Sequence, residues 1–179
     1  MKYATIKPRA IANGPGVRVR LFVSGSTHHC KGCFNQEAWD FCYGQPFTQE
    51  TIDYILDLMC PSFIKGITLL GGEPFEPENQ GAIVELLRQI KQKMPEKSIW
   101  AFSGYLFEDI RSGRLGDTRE YLSYLDVLVD GPFIEAKKNL ALRFRGSENQ
   151  RLIDMKKTLS TGELTLWQDW QGDGRGMKL

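Results

Sequence analysis

The stretch IKGITLLGGEPF, residues 64–75, decides the fold. Its apolar run is short, carries β-branched residues and stops at a double glycine. That is the signature of a strand covered on both faces that delivers a loop at its carboxyl end. Downstream, NQGAIVELLRQIKQKM (79–94) has the spacing of an amphipathic helix, and SIWAFSGY (98–105) is a further buried strand. Upstream, VRVRLFV (17–23) alternates with period two and reads as a strand. TQETIDYILDLM (48–59) reads as a helix, with Thr48 as N-cap and Ile52, Ile55, Leu56 and Met59 on one stripe. Helical segments around 105–111 and 117–124 lead to a fourth strand in LDVLVDGPF (125–133).

Strands that alternate with amphipathic helices predict an α/β fold with a parallel sheet and right-handed crossovers. In such sheets ligands gather at the carboxyl ends of the strands. Four exits would then share one face: SGSTHHCKGC (24–33), GGEP (71–74), SGY (103–105) and DGPF (130–133).

The 179-residue length suits one domain with a substantial core. The expected division is a domain over 1–167 and a loosely ordered tail over 168–179. With 41% apolar residues, 25% charged residues and a net charge of +1, nothing steers the chain toward nucleic acid or membrane. No apolar run approaches the roughly 20 residues of a membrane span, and the start, MKYATIKPRAIANGPG, lacks the apolar core of a signal peptide. The cytoplasm is the expected compartment.

Of the four cysteines, Cys30 and Cys33 form C-x2-C, a spacing that turns two sulfurs toward one metal or cluster. Beside His28 and His29, a zinc knuckle is one reading, although no second pair completes four-coordination. A thioredoxin-like dithiol is another, and the loop character of the segment speaks against it. With Ser26 read as a replaced cysteine, the 26–30–33 spacing would face three corners of a [4Fe-4S] cluster. GGEP reads as a plain turn or as a ligand loop, in which the glycines admit a close approach and Glu73 accepts from an ammonium group. Arg143, Arg145 and Arg151 in RFRGSENQR (143–151) read as a solvated hairpin or as a lip for cofactor or partner. Lys137 and Lys138 read as surface charges, Cys42 as a plain thiol or substitute ligand, and Cys60 as a small buried hydrophobe on the helical stripe.

NGPGVRVRLFVSG, HHCKGCFNQEAW, LLGGEPF, WAFSGY, VLVDGPF and RFRGSENQRLID, taken in this order, resemble the radical S-adenosylmethionine superfamily. Within it, VDGPF and RGSENQR are similar to the activating enzymes of anaerobic (class III) ribonucleoside-triphosphate reductases. The resemblance implies a partial (β/α) barrel of parallel strands. It implies a [4Fe-4S] cluster on Cys30, Cys33 and the position of Ser26, and S-adenosylmethionine held by Gly71, Gly72 and Glu73, with Asn35, Ser103 and Asp130 as further cofactor contacts. No side chain is expected to act as a catalyst beyond the cofactors. The implied activity is reductive cleavage of S-adenosylmethionine to a 5′-deoxyadenosyl radical, which abstracts hydrogen from a glycine of the reductase large subunit. The electron would come from a donor such as flavodoxin. Ser26 departs from the family pattern and implies a ligand-replaced, impaired form. The alternatives are a radical enzyme acting on another glycyl-radical protein or a small molecule, and a non-catalytic zinc-binding protein.

Overall fold

A computed structural model of the chain describes residues 1–28 and 36–168. Cys30, Cys33, His29 and Asn35, and the expected tail from residue 169 onward, lie outside the described residues. The strands are β1 (Lys2–Ala10), β2 (Val17–Val23), β3 (Gln45–Pro46), β4 (Ile64–Gly71), β5 (Ser98–Phe102), β6 (Val127–Asp130) and β7 (Arg151–Asp154). The helices are α1 (Gln49–Met59), α2 (Pro77–Lys93), α3 (Phe107–Arg111), α4 (Arg119–Tyr124) and α5 (Met155–Thr161). Among the described residues, no helix is long and apolar enough to cross a membrane.

All seven strands form one sheet in the order β3-β1-β2-β4-β5-β6-β7. The central β2, β4, β5 and β6 are parallel, as the alternation of elements predicts. The flanks differ from the sequence reading, because β1 pairs antiparallel with β2 and β3, and β7 pairs antiparallel with β6. β1 escapes period-two reading because Lys7, Pro8 and Arg9 interrupt it. The structure places a register shift between Lys7 and Ala10, the kind of irregularity that tolerates proline in a strand. β7 is four residues long and inseparable by pattern from the loop before it.

The helices pack on one face of the sheet. Ile52, Ile55, Leu56 and Met59 of α1 and Ile83, Leu86, Leu87 and Ile90 of α2 meet Val19, Leu21, Ile67, Leu69, Ile99 and Leu128 from the strands. Cys60 does not join them: it is exposed, because the helix ends at Met59 and Cys60 serves as its C-cap. Among the described residues, no helix contributes to the apolar cluster on the other face. Trp100, Val127 and Val129 are buried there, and Phe102, Phe144, Leu152 and Trp167 pack against them. Strand alternation assigns these faces, since Val127 and Val129 point away from Leu128.

Arg18 closes the amino-terminal end of that second face. Its side chain is wholly buried and donates from Nε to Thr68 Oγ1 (2.9 Å), from Nη1 to Ser98 Oγ (2.8 Å), and from Nη2 to the carbonyls of Ile67 (2.7 Å) and Ser98 (2.9 Å). Burial lowers its pKa to about 10 against an opposing pull from Asp126. A buried cation persists only where its donors are satisfied, and here they tie β2 to β4 and β5. Thr68 Oγ1 in turn donates to the Asn13 carbonyl (2.9 Å), anchoring the loop between β1 and β2.

Candidate cofactor site

The exits of β2 and β4 are zipped together. Gly72 N–H donates to the Val23 carbonyl (2.8 Å) and Glu73 N–H to the Gly25 carbonyl (2.8 Å). Asn79, in the first turn of α2, donates from Nδ2 to the carbonyls of both Ser24 and Glu73 (each 3.0 Å). This packing leaves no room for side chains. A Cβ on Gly72 would stand 2.4 Å from the Gly25 carbonyl oxygen and 2.7 Å from that of Ala38, and Gly71 adopts a left-handed φ of 115°.

Above these exits lies a cavity of about 530 Å³, within the size range of a nucleotide-like cofactor. Ser26, Gly71, Gly72, Glu73 and Ser103 all line it, together with His28 and Gly104. Leu70, Phe102, Phe133 and Phe144 give it apolar walls. Asn13 contributes from one loop, and Lys138, Arg145, Gly146 and Gln150 from another. The sequence motifs at 26, 71–73 and 103 therefore converge on one space.

Glu73 is the polar centre. Its carboxylate is fully buried and accepts four bonds. Phe75 N–H (2.9 Å) and Ser103 Oγ–H (3.0 Å) reach Oε1; Gly104 N–H (2.7 Å) and the His28 Nε2 atom (2.9 Å) reach Oε2. Burial lowers the pKa of His28, yet its hydrogen bond to Glu73 and the charges of Glu73 and Glu76 outweigh this and hold it above its usual range. A fixed carboxylate at a cavity wall is suited to receive a cationic nitrogen.

Asp130 stands elsewhere. It is buried outside the cavity lining, and its oxygens are taken by Phe107 N–H (2.7 Å) and by the guanidinium of Arg151. The expected cofactor contact is thus a brace between the end of β6, the start of α3 and β7. Arg151, read from sequence as part of a lip, belongs to the same brace and also pairs with Glu108. Cys42 is an exposed free thiol.

Several site residues had no prior signal. Glu76 accepts from Thr27 N–H (2.8 Å) and Thr27 Oγ1 (2.6 Å), pinning the start of the cysteine loop. Gln150 accepts from the N–H groups of Gly146 (2.9 Å) and Ser147 (3.2 Å) and donates to the Gly131 carbonyl (3.1 Å), shaping the far wall. Glu76 and Asn79 fall three and six positions after Glu73, where α2 begins, and only the structure shows that they are buried.

Ser26 sits on the cavity wall, 5% exposed, with its N–H donated to the Trp39 carbonyl and its Oγ accepting from His28 N–H (3.3 Å). The wall position fits a ligand, whereas the oxygen is a harder donor than a thiolate.

Comparison with known proteins decides the family. Residues 12–153 match the model of the 4Fe-4S single cluster domain. An anaerobic ribonucleoside-triphosphate reductase-activating protein of Enterobacteria phage T4 is 43% identical over 154 residues, covering 85% of this chain and 93% of the relative. The chain belongs to this family of activating proteins. Its cellular members include those of Pasteurella multocida, 40% identical over 152 residues (84% of this chain, 95% of the relative), and Escherichia coli K12, 39% identical over 152 residues (84% and 96%). Ser26, Glu73 and Ser103, which line one cavity, all fall within the matched region.

Proposed function

We propose that this chain is the activase that uses a [4Fe-4S] cluster and S-adenosylmethionine to place a glycyl radical on anaerobic ribonucleoside-triphosphate reductase. The observation that carries this reading is the buried Glu73 carboxylate on the wall of a cofactor-sized cavity beside Ser26, at the mouth of the loop that bears Cys30 and Cys33. When bound, the cluster supplies the single electron that turns S-adenosylmethionine into a hydrogen-abstracting agent. Cys30 and Cys33 would hold it, with Ser26 at the third position. Asn35 would add a contact to the cofactor.

The chain's own residues bind, orient and shield. Glu73 would receive the amino group of S-adenosylmethionine, with His28 beside its carboxylate. Gly71 and Gly72 admit the backbone approach, and Ser103 fixes the Glu73 rotamer through Oε1. Phe102, Phe133 and Phe144 exclude water from a chemistry that would otherwise quench on solvent or side chains. The face that carries Trp100, Val127 and Val129 would then be the inside of a partial (β/α) barrel, formed by one catalytic domain over 1–167 with a tail over 168–179. The protein would work in the cytoplasm, reduced by a donor such as flavodoxin.

Ser26 would be a cluster-ligand replacement that impairs this activity, because a serine hydroxyl stays protonated where a cysteine gives a soft thiolate. The test is anaerobic incubation of the Ser26→Cys protein with S-adenosylmethionine, a reductant and the reductase, followed by electron paramagnetic resonance. A glycyl doublet on the reductase is expected, far stronger than with Ser26. Its absence would overturn the assignment.

A further inference from the structure

Among the described residues, two that are not glycine have a left-handed backbone, Asn13 (φ 63°) and Phe144 (φ 60°), and both line the cavity. Asparagine tolerates that region, whereas a bulky side chain there is strained and persists only where its neighbours hold it. For Phe144 those neighbours are aromatic and cationic. Its ring meets Trp100 (centroids 5.4 Å apart, 77° between planes) and Trp167 (6.1 Å, 65°) edge to face, and the Arg143 guanidinium lies 4.9 Å from its centroid. A strained residue held from three sides at a cavity wall points to a role in that cavity.

A second cavity, of about 370 Å³, adjoins the first. Phe144, Arg145 and Gln150 line both, so the two spaces share one wall. Two of the three residues in that wall are pinned by hydrogen bonds. Arg145 Nη1 donates to the Gln150 carbonyl (2.7 Å), and the Gln150 amide is taken by Gly146, Ser147 and Gly131. Phe144 contributes its ring alone. On the far side, Leu152, Leu166 and Trp167 give the second cavity apolar surface of its own.

We propose that Phe144 is a specificity-determining residue of the cofactor cavity: its ring is the partition that ends the cavity, and it excludes ligands bulkier than S-adenosylmethionine. This rests on the activase reading above. A cavity of about 530 Å³ accommodates a nucleoside joined to an amino acid, and merged with its neighbour it would accommodate much larger groups. Overfilling a well-packed site lowers affinity roughly tenfold or more, so a wall that does not yield turns ligand size into selectivity. The left-handed backbone at 144 aims the ring across the gap, and the two tryptophans keep it from swinging aside.

The test is anaerobic calorimetric titration of the full chain with S-adenosylmethionine and with three analogues, which carry a benzyl group on the adenine N6, on the adenine C8 or in place of the sulfonium methyl. The parent is expected to bind S-adenosylmethionine, and to bind each analogue at least about tenfold more weakly. Phe144→Gly relieves the left-handed backbone and should narrow that gap for at least one analogue by about tenfold. Phe144→Leu keeps the apolar packing, and so the fold, and should narrow the gap for the same analogue by less. Phe133→Leu takes the same ring from the wall of the first cavity alone and should leave the exclusion in place. Three results would each remove the partition role and leave the activase reading standing: a parent that binds the analogues as tightly as S-adenosylmethionine, Phe144 variants that exclude all three as the parent does, or a Phe133→Leu protein that admits them equally. No binding of S-adenosylmethionine by the parent overturns the activase reading and the partition role with it.

Discussion

Arg151 grips Asp130 from Nε and Nη2 across the antiparallel pairing of β7 with β6, where the two residues are register partners. The same guanidinium reaches both oxygens of Glu108 in α3, at 3.0 and 2.7 Å. Asp130 is wholly buried, so removing Arg151 leaves a buried charge with only the Phe107 N–H. Arg151→Ala is therefore expected to destabilise the fold by roughly 3–5 kcal/mol, measured by urea denaturation. Arg151→Lys should recover only part of this, because an ammonium cannot serve two carboxylates with a planar fork. A loss below 1 kcal/mol would show that the brace contributes little.

That pair also marks where sequence reading stopped. The central strands and the helices α1 to α4, but not α5, could be located because their apolar spacing is local, and the exits at 26, 71–73 and 103 followed from topology. Asp130 looked like a ligand because it ends a strand at the same face. Its true partner, Arg151, is twenty-one residues away on a strand too short to show a period. Gln150, which donates to the Gly131 carbonyl, and Asn13, whose carbonyl accepts from the Thr68 hydroxyl, line the cavity and have no periodic signature at all. Cys60 misled in the other direction: the apolar stripe of α1 continues in sequence after the helix itself has stopped.

Gly72 and Gly81 should respond to alanine in opposite ways. At Gly72 the new methyl would meet two carbonyl oxygens closer than 3.0 Å, so the β2 and β4 exits must part. Gly72→Ala is expected to cost about 1–3 kcal/mol and to weaken S-adenosylmethionine binding. Gly81 lies in α2 with nothing within 4 Å of an added Cβ. Gly81→Ala should stabilise by roughly 0.5–1 kcal/mol. Thermal and chemical denaturation of both variants, with calorimetric titration of the cofactor, checks the contrast; equal effects would refute it.

Asp126 ties stability to acid pH. It accepts from Ile99 N–H (2.7 Å) and Lys91 Nζ (3.3 Å) on Oδ2 and from Lys156 Nζ (2.5 Å) on Oδ1. Burial pushes its pKa up, but the Lys156 and Ile99 hydrogen bonds and the lysine charges outweigh this and hold it below the ordinary 3.8. The unfolded chain therefore binds the proton more readily than the folded one. The stabilisation is fully present above the ordinary value and is lost as pH falls through the folded one. Asp126→Asn should lower stability at neutral pH and reduce the slope of stability against pH in the acid range. An unchanged slope would exclude Asp126 as its source.

Glu73 carries both the fold of the exits and the proposed cofactor contact, and substitution separates the two. Glu73→Gln keeps the shape but replaces one acceptor oxygen with an NH2 group that must face donors: Gly104 N–H and His28 on one side, or Phe75 N–H and Ser103 Oγ on the other. The cost is expected at about 1–3 kcal/mol of stability. If the carboxylate also receives the amino group of S-adenosylmethionine, affinity for that ligand should fall at least tenfold. It should fall much less for 5′-deoxyadenosine, which has no amino acid moiety. Anaerobic calorimetric titration of both ligands makes the comparison within one variant, so a general loosening of the cavity is told apart from loss of the ammonium contact. Equal losses for the two ligands would reduce Glu73 to a structural residue.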